Sequence, residues 1–165
     1  MIGEDHTGAR CEELSLVDAE LARCDLANLH ALGARVTRIV LDDCRLTGIV
    51  INEGRLTDVV VRGCRADMAS FAACGLERVT FEDCVLTDAS FMEARLYGVR
   101  FHRCRLAGAD FRQARMTTCE LRHCILDDII GVEGLRGAAM EWADIVGLAG
   151  TFADALGIAV LDDEA

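Results

Sequence analysis

Every fifth residue from Leu16 to Leu126 is apolar, twenty-three positions in a row without a polar exception. A second small or apolar set sits two residues before these, including Ala19, Cys24, Ala34, Cys44, Val59, Cys64, Ala69, Cys74, Val79, Cys84, Val99, Cys104 and Cys124. Neither regular element accommodates this period. An α-helix turns about 100° per residue, so each repeat would rotate the apolar set by about 140° and smear it around the surface. A straight strand alternates faces with period two, so an odd period would send successive apolar centres to opposite sides. What remains is a chain that bends once per five residues, always points the same two positions inward, and so winds a coil around its own core.

The number of sides follows from a longer period. Cys24, Cys44, Cys64, Cys84, Cys104 and Cys124 recur once per twenty residues, which is four fives. Four sides per turn align them in one file. The same sorting puts Phe71, Phe91 and Phe111 in one file and Phe81 and Phe101 in a file opposite, whereas a three-sided coil would scatter both sets. The chain contains no proline, so every residue retains a backbone donor for continuous pairing.

Residues 14 to about 130 resemble a pentapeptide-repeat protein, whose motif is Ala-(Asp/Asn)-Leu-x-x. The motif is visible as "CDLAN", "CRLTG", "ADMAS", "CRLAG" and "ADFRQ". The resemblance implies an all-β fold, a right-handed quadrilateral β-helix. The Asp/Asn slot departs from the motif, being arginine at 35, 45, 55, 65, 95, 105 and 115. With stacked turns about 4.8 Å apart, the repeats predict a rod about 27 Å long with residues 1–13 as an N-terminal cap.

After Gly131 the rhythm stops. Trp142, Ile145, Val146, Ala149, Phe152, Ala153 and Leu156 follow helical spacing. Residues 131–165 are therefore expected to form a helical cap, one helix or two broken near Gly147 and Gly150, with a stop at Gly157. "IAVL" at 158–161 reads as a short strand before the acidic end "DDEA". The family resemblance implies dimerisation through such a module, with Trp142, Ile145, Ala149, Phe152 and Leu156 at the interface. A monomeric cap is the alternative.

The formal charge of -11 arises from 28 acidic residues against 17 basic ones, all arginine. Such a balance argues against direct nucleic-acid binding, which requires a basic surface. No run approaches the roughly 20 apolar residues of a membrane span and no basic start precedes an apolar core, so a soluble cytoplasmic protein is expected. Nine cysteines are an odd number, about 5% of the chain, below the level of disulfide-stapled secreted proteins. They are expected to be reduced and to pack as small hydrophobes. A file of ligands spaced along an axis does not converge on a metal.

Two arginine files present themselves as possible partner surfaces: Arg35, Arg55, Arg95 and Arg115 on one side, and Arg45, Arg65 and Arg105 on the opposite side. Both are expected to point outward, with Asp58, Asp67, Glu77 or Asp88 near enough to pair. A third column, Asp42, Arg62, Glu82, His102 and Arg122, nearly alternates in sign and reads as structural. No phosphate loop, nucleophile elbow or zinc spacing occurs, so no catalytic, metal or cofactor residue is expected and no enzymatic activity. Some family members imitate duplex DNA and bind DNA gyrase, which makes gyrase one expected protein partner. The alternative is a general interaction rod, with Tyr97, Met68 and Met92 as further contacts. The charge is uneven for a duplex mimic, with fifteen acids against nine arginines over 11–95 but four against six over 96–130.

Overall fold

The computed structural model describes residues 1–161; the acidic end 162–165 lies outside them. The chain winds into a four-sided parallel β-solenoid. One side carries β1 (Ser15–Ala22), β2 (Arg35–Asp42), β3 (Arg55–Arg62), β4 (Gly75–Glu77), β6 (Arg95–Tyr97) and β8 (Arg115–Thr117). Around the corner, the second halves of the long strands continue into β5 (Thr80–Glu82), β7 (Arg100–His102), β9 (Cys119–Arg122) and β10 (Ala138–Met140). The other two sides are single bridges in strict register. Asp5, Asp25, Arg45, Arg65, Val85, Arg105 and Ile125 form one, and Arg10, His30, Val50, Ser70, Ser90, Asp110 and Ile130 the other. All pairing is parallel, at an offset of twenty residues from turn to turn except at the last strand, β10, which lies nineteen residues beyond its partners on β9. Pairing begins at Ile2, which bridges Ala22, so the segment expected as an N-terminal cap is largely a first coil of the same kind.

The corners explain the period of five. Every fifth residue from Gly3 to Asp128 has a positive φ of 51° to 69°, and nineteen of these are not glycine. The left-handed conformation costs an L-residue about 1–2 kcal/mol. That cost is borne once per side because the bend returns two side chains to the core and aligns the next backbone stretch with the coil below. Inward positions from Leu21 to Leu126 are buried apart from half-buried Leu41, and the core includes all the cysteines of the six-residue file. Phe71, Phe91 and Phe111 stack at 5.3 and 5.2 Å, Phe81 and Phe101 stack at 5.2 Å, and the two files meet edge to face.

The C-terminal end differs from its sequence expectation in two respects. Residues 158–161 form no strand; they lie exposed beyond the helices without a sheet edge to join. The last coil is instead extended by β10, whose Ala138, Ala139 and Met140 pair with β9. A 3-10 turn at Val132–Leu135, α1 (Trp142–Gly147) and α2 (Ala149–Ala155) follow the repeats. Val132, Leu135 and Leu148 are the buried residues that close the core, and of the helical stripe Phe152 packs against it. Gly134 permits this close approach, since a Cβ there would lie 2.0 Å from the Phe111 carbonyl oxygen. Gly157, at φ 69°, ends α2: its N–H donates to the Asp154 carbonyl, and Ile158 N–H to that of Ala153.

Candidate protein-binding surface

Arginines 35, 55, 95 and 115 occupy one column of the first side, each in direct register with the next rung through the series Arg35, Arg55, Gly75, Arg95, Arg115. The inward neighbours Val36, Leu56, Leu76, Leu96 and Met116 fix this placement, because a residue beside a buried one on a strand must face out. All four arginines are exposed. Among the described residues none of the four forms an ion pair. Asp58 and Glu77, the acids expected to neutralise them, are held instead by Arg78, whose Nη2 donates to Asp58 Oδ2 at 2.9 Å.

Most other arginines are matched. Arg38 pairs with Asp18, Arg103 with Asp83 at 2.7 Å, Arg112 with Asp110 at 2.7 Å, and Arg122 with Glu120 at 3.1 Å. These guanidinium hydrogen bonds hold the carboxyls of Asp18, Asp58, Asp83 and Asp110 below their usual range. The corner column Asp18, Arg38, Asp58, Arg78 alternates in sign at twenty-residue spacing and pairs within itself. On the opposite file Arg45 pairs with Asp25 at 2.9 Å and Arg65 with Asp67 at 3.7 Å. The alternating third column is joined through Arg62, which lies 3.9 Å from Asp42 and 3.5 Å from Glu82.

Gly75 interrupts the unpaired file with open space, since nothing lies within 4 Å of where its Cβ would be. The result is a groove of about 530 Å³ lined by Arg35, Arg55, Arg95, Glu53 and Glu93, with Tyr97 on the adjacent rim. Tyr97 is exposed, as is Met68, whereas Met92 is half-buried. Arg55 and Arg95 stand two rungs, about 10 Å, apart. Their planar forks suit bidentate capture of a carboxylate.

The cysteine file has no such opening. Each thiol donates to backbone carbonyls at a corner, Cys84 to Val61 and Glu82 at 3.3 Å, and Cys104 to Phe81 and His102 at 3.4 and 3.5 Å. The cysteines thus act as small apolar fillers that also satisfy corner oxygens. Burial pushes the Cys74 thiol up to about 11. Hydrogen bonding from Cys64 draws Cys44 down and pushes Cys64 up, and the thiols of Cys124 and Cys84, then burial, push Cys104 up. With no cation inside the core, we assign all of them as thiols. All nine cysteines are free. Among the described residues no three His, Cys, Asp or Glu side chains converge as a metal site.

The residues expected at a dimer interface divide between two environments. Trp142 and Leu156 are 77% and 75% exposed, and Ala149 is also exposed. Ile145 is half-buried, and Phe152 packs against the end of the core. His123 on the last coil faces Glu141 of the module, with Nδ1 3.1 Å from Oε2.

No curated protein sequence matches the chain. Among solved structures it is similar to QnrB1, a plasmid-mediated fluoroquinolone resistance protein, at 16% identity with a TM-score of 0.42, over 97% of this chain and 99% of that one. It is also similar to the pentapeptide repeat protein Rfr23 of the cyanobacterium Cyanothece 51142, at 15% identity and a TM-score of 0.40, over 74% and 91% of the two chains. A pentapeptide repeat protein of the Arabidopsis thaliana thylakoid lumen matches at 17% identity and a TM-score of 0.37, over 66% of each chain. At these values the likenesses carry no argument about a partner. Residues 55–129 match the sequence profile described as the pentapeptide repeat region, and the same in-phase coils continue on both sides of them. Residues 55–129 thus carry a pentapeptide-repeat region.

Proposed function

We propose that this protein is a non-enzymatic binding rod that docks an acidic protein surface on the side carrying Arg35, Arg55, Arg95 and Arg115. The observation that supports the reading is the unpaired state of that whole file among the described residues, on a molecule of net charge -11 that matches most of its other arginines. In-register like charges raise the energy of the free rod, and a partner's carboxylates relieve them. Fluorescence anisotropy with a labelled poly-glutamate peptide at low salt tests the site. Binding is expected to weaken with salt and to disappear when the four arginines become glutamine, while neutralising Arg45, Arg65 and Arg105 on the opposite side leaves it largely intact. Equal binding by the two variants refutes the assignment.

The exposed Trp142, Ala149 and Leu156 support a homodimer joined through the C-terminal module. Sedimentation is expected to give a dimer that Trp142→Arg converts to monomer.

A second reading, binding to DNA gyrase in place of duplex DNA, is favoured by the combination of a narrow rod and a net negative charge. The arginine file runs against it, since it places a cationic stripe where a duplex presents phosphate.

A further inference from the structure

The two halves of the core are filled differently. From Phe71 onward, five phenylalanines occupy inward centres, and inward residues such as Phe81, Leu86, Phe91, Leu106 and Phe111 are wholly buried. The centres before Phe71 are Leu21, Leu26, Ala31, Val36, Leu41, Leu46, Ile51, Leu56, Val61 and Ala66. The coil keeps the same backbone cross-section because its register is set by the strands, so smaller side chains leave space. Inward Leu16 and Leu41, both on the wall of this space, are only half-buried. The space is a cavity of about 260 Å³ that opens at the first coil and runs down to Phe71. It exceeds the roughly 150 Å³ of an engineered apolar cavity that stays dry and binds benzene.

Its shape selects the occupant. Met1, Leu21, Leu41 and Val61 stand in one file along the wall, three rungs or about 14 Å from mouth to base. The walls are aliphatic apart from Cys11, and His6 lines the opening. A long, narrow, dry channel with a polar rim fits one extended hydrocarbon chain whose head stays in water. The first coil exposes Glu4, Asp5, Glu12 and Glu13 against Arg10, an acidic rim that disfavours a carboxylate head, so a neutral head is favoured.

We infer that the N-terminal half of the rod is a binding channel for the aliphatic chain of a free, neutral-headed amphiphile. Titration of the purified full chain with 1-octanol, 1-decanol and 1-dodecanol, followed by calorimetry and by methyl NMR of isoleucine and valine, tests this directly. Saturable shifts are expected at Ile39, Ile51 and Val61 and not at Ile125 or Ile130. Affinity is expected to rise about fourfold per added methylene until the channel is filled. Ile51→Phe, which places a ring one rung above the base, is expected to shorten the channel, so that affinity stops rising at a shorter alcohol and decanol binds more weakly while the protein remains folded, and Ile125→Ser, on the outer surface, to leave binding intact. The inference is overturned if no saturable shift appears, if Ile51→Phe binds decanol like the parent, or if chains bind only when presented in phosphatidylcholine vesicles. The exposed Ile158–Leu161 of a second copy is the competing occupant. Concentration-dependent end-to-end assembly that blocks decanol binding would also overturn it.

Discussion

Ile51→Phe is expected to stabilise the protein, whereas the same ring introduced at Leu86 is expected to destabilise it. Ile51 stands one rung before Phe71 in the file whose rings stack at 5.3 and 5.2 Å. A phenylalanine there extends the stack by one pair, worth about 0.5–1.5 kcal/mol. It also enters the void, and at about 24 cal/mol per Å³, removing about 40 Å³ contributes about 1 kcal/mol. Part of the gain offsets local readjustment, so a net of about 1–2 kcal/mol is expected. Leu86 is wholly buried in the filled half, where added volume forces neighbours from their rotamers at a cost of about 1–3 kcal/mol. Both positions are inward centres of the same repeat, so backbone preference cancels in the comparison. Urea denaturation followed by far-UV circular dichroism, compared at equal slope, measures both. If Ile51→Phe destabilises as much as Leu86→Phe, the core is uniformly packed and the reasoning is wrong.

Three other outcomes follow from the coil and its cap. Gly134→Ala drives a Cβ against the Phe111 carbonyl oxygen and is expected to cost at least about 2 kcal/mol, with hydrogen exchange rising first in residues 132–156. Thr118→Gly relieves a β-branched residue held at φ 51° and is expected to gain about 0.5–1 kcal/mol, less than the full strain because glycine also frees the unfolded chain. Acid is expected to lower Tm. The carboxyls of Asp18, Asp58, Asp83 and Asp110 are held low by their arginines, so their contribution is complete above the unfolded value of about 3.9 and is lost as pH falls through the folded ones. Asp144, raised by burial, acts in the opposite sense. A Tm that stays level from pH 5 to pH 3 would contradict the pairing.

The winding was legible because a period of five defeats both regular elements, and the cysteine and phenylalanine files gave its four sides. The corner residue was not legible by type: Arg78, Glu93, Thr118 and His123 adopt the same left-handed turn as Gly48 and Asp88. Long-range pairing of each coil on the last imposes that conformation whatever the side chain. β10 escaped notice because three residues, Ala138–Met140, carry no repeat signature and become a strand only by lying on β9. The apolar run 158–161 gave the opposite error, since β-propensity without an adjacent edge makes no strand. Whether an arginine file is paired depends on the neighbouring column. Arg78 lies closer to Asp58 and Glu77 than the file does, which reading a single column did not capture. The void was visible in outline, because the first phenylalanine of the core is Phe71, but its volume depends on the fixed cross-section of the coil.

A gyrase supercoiling assay, run with the parent and with a variant carrying glutamate at positions 35, 55, 95 and 115, separates an arginine-presenting rod from a duplex mimic. The docking account predicts no inhibition by either protein at tens of micromolar, together with loss of poly-glutamate binding in the variant. Inhibition by the parent at low micromolar concentration, strengthened by the added negative charge, would contradict it and show that the acidic sides are the ones that bind.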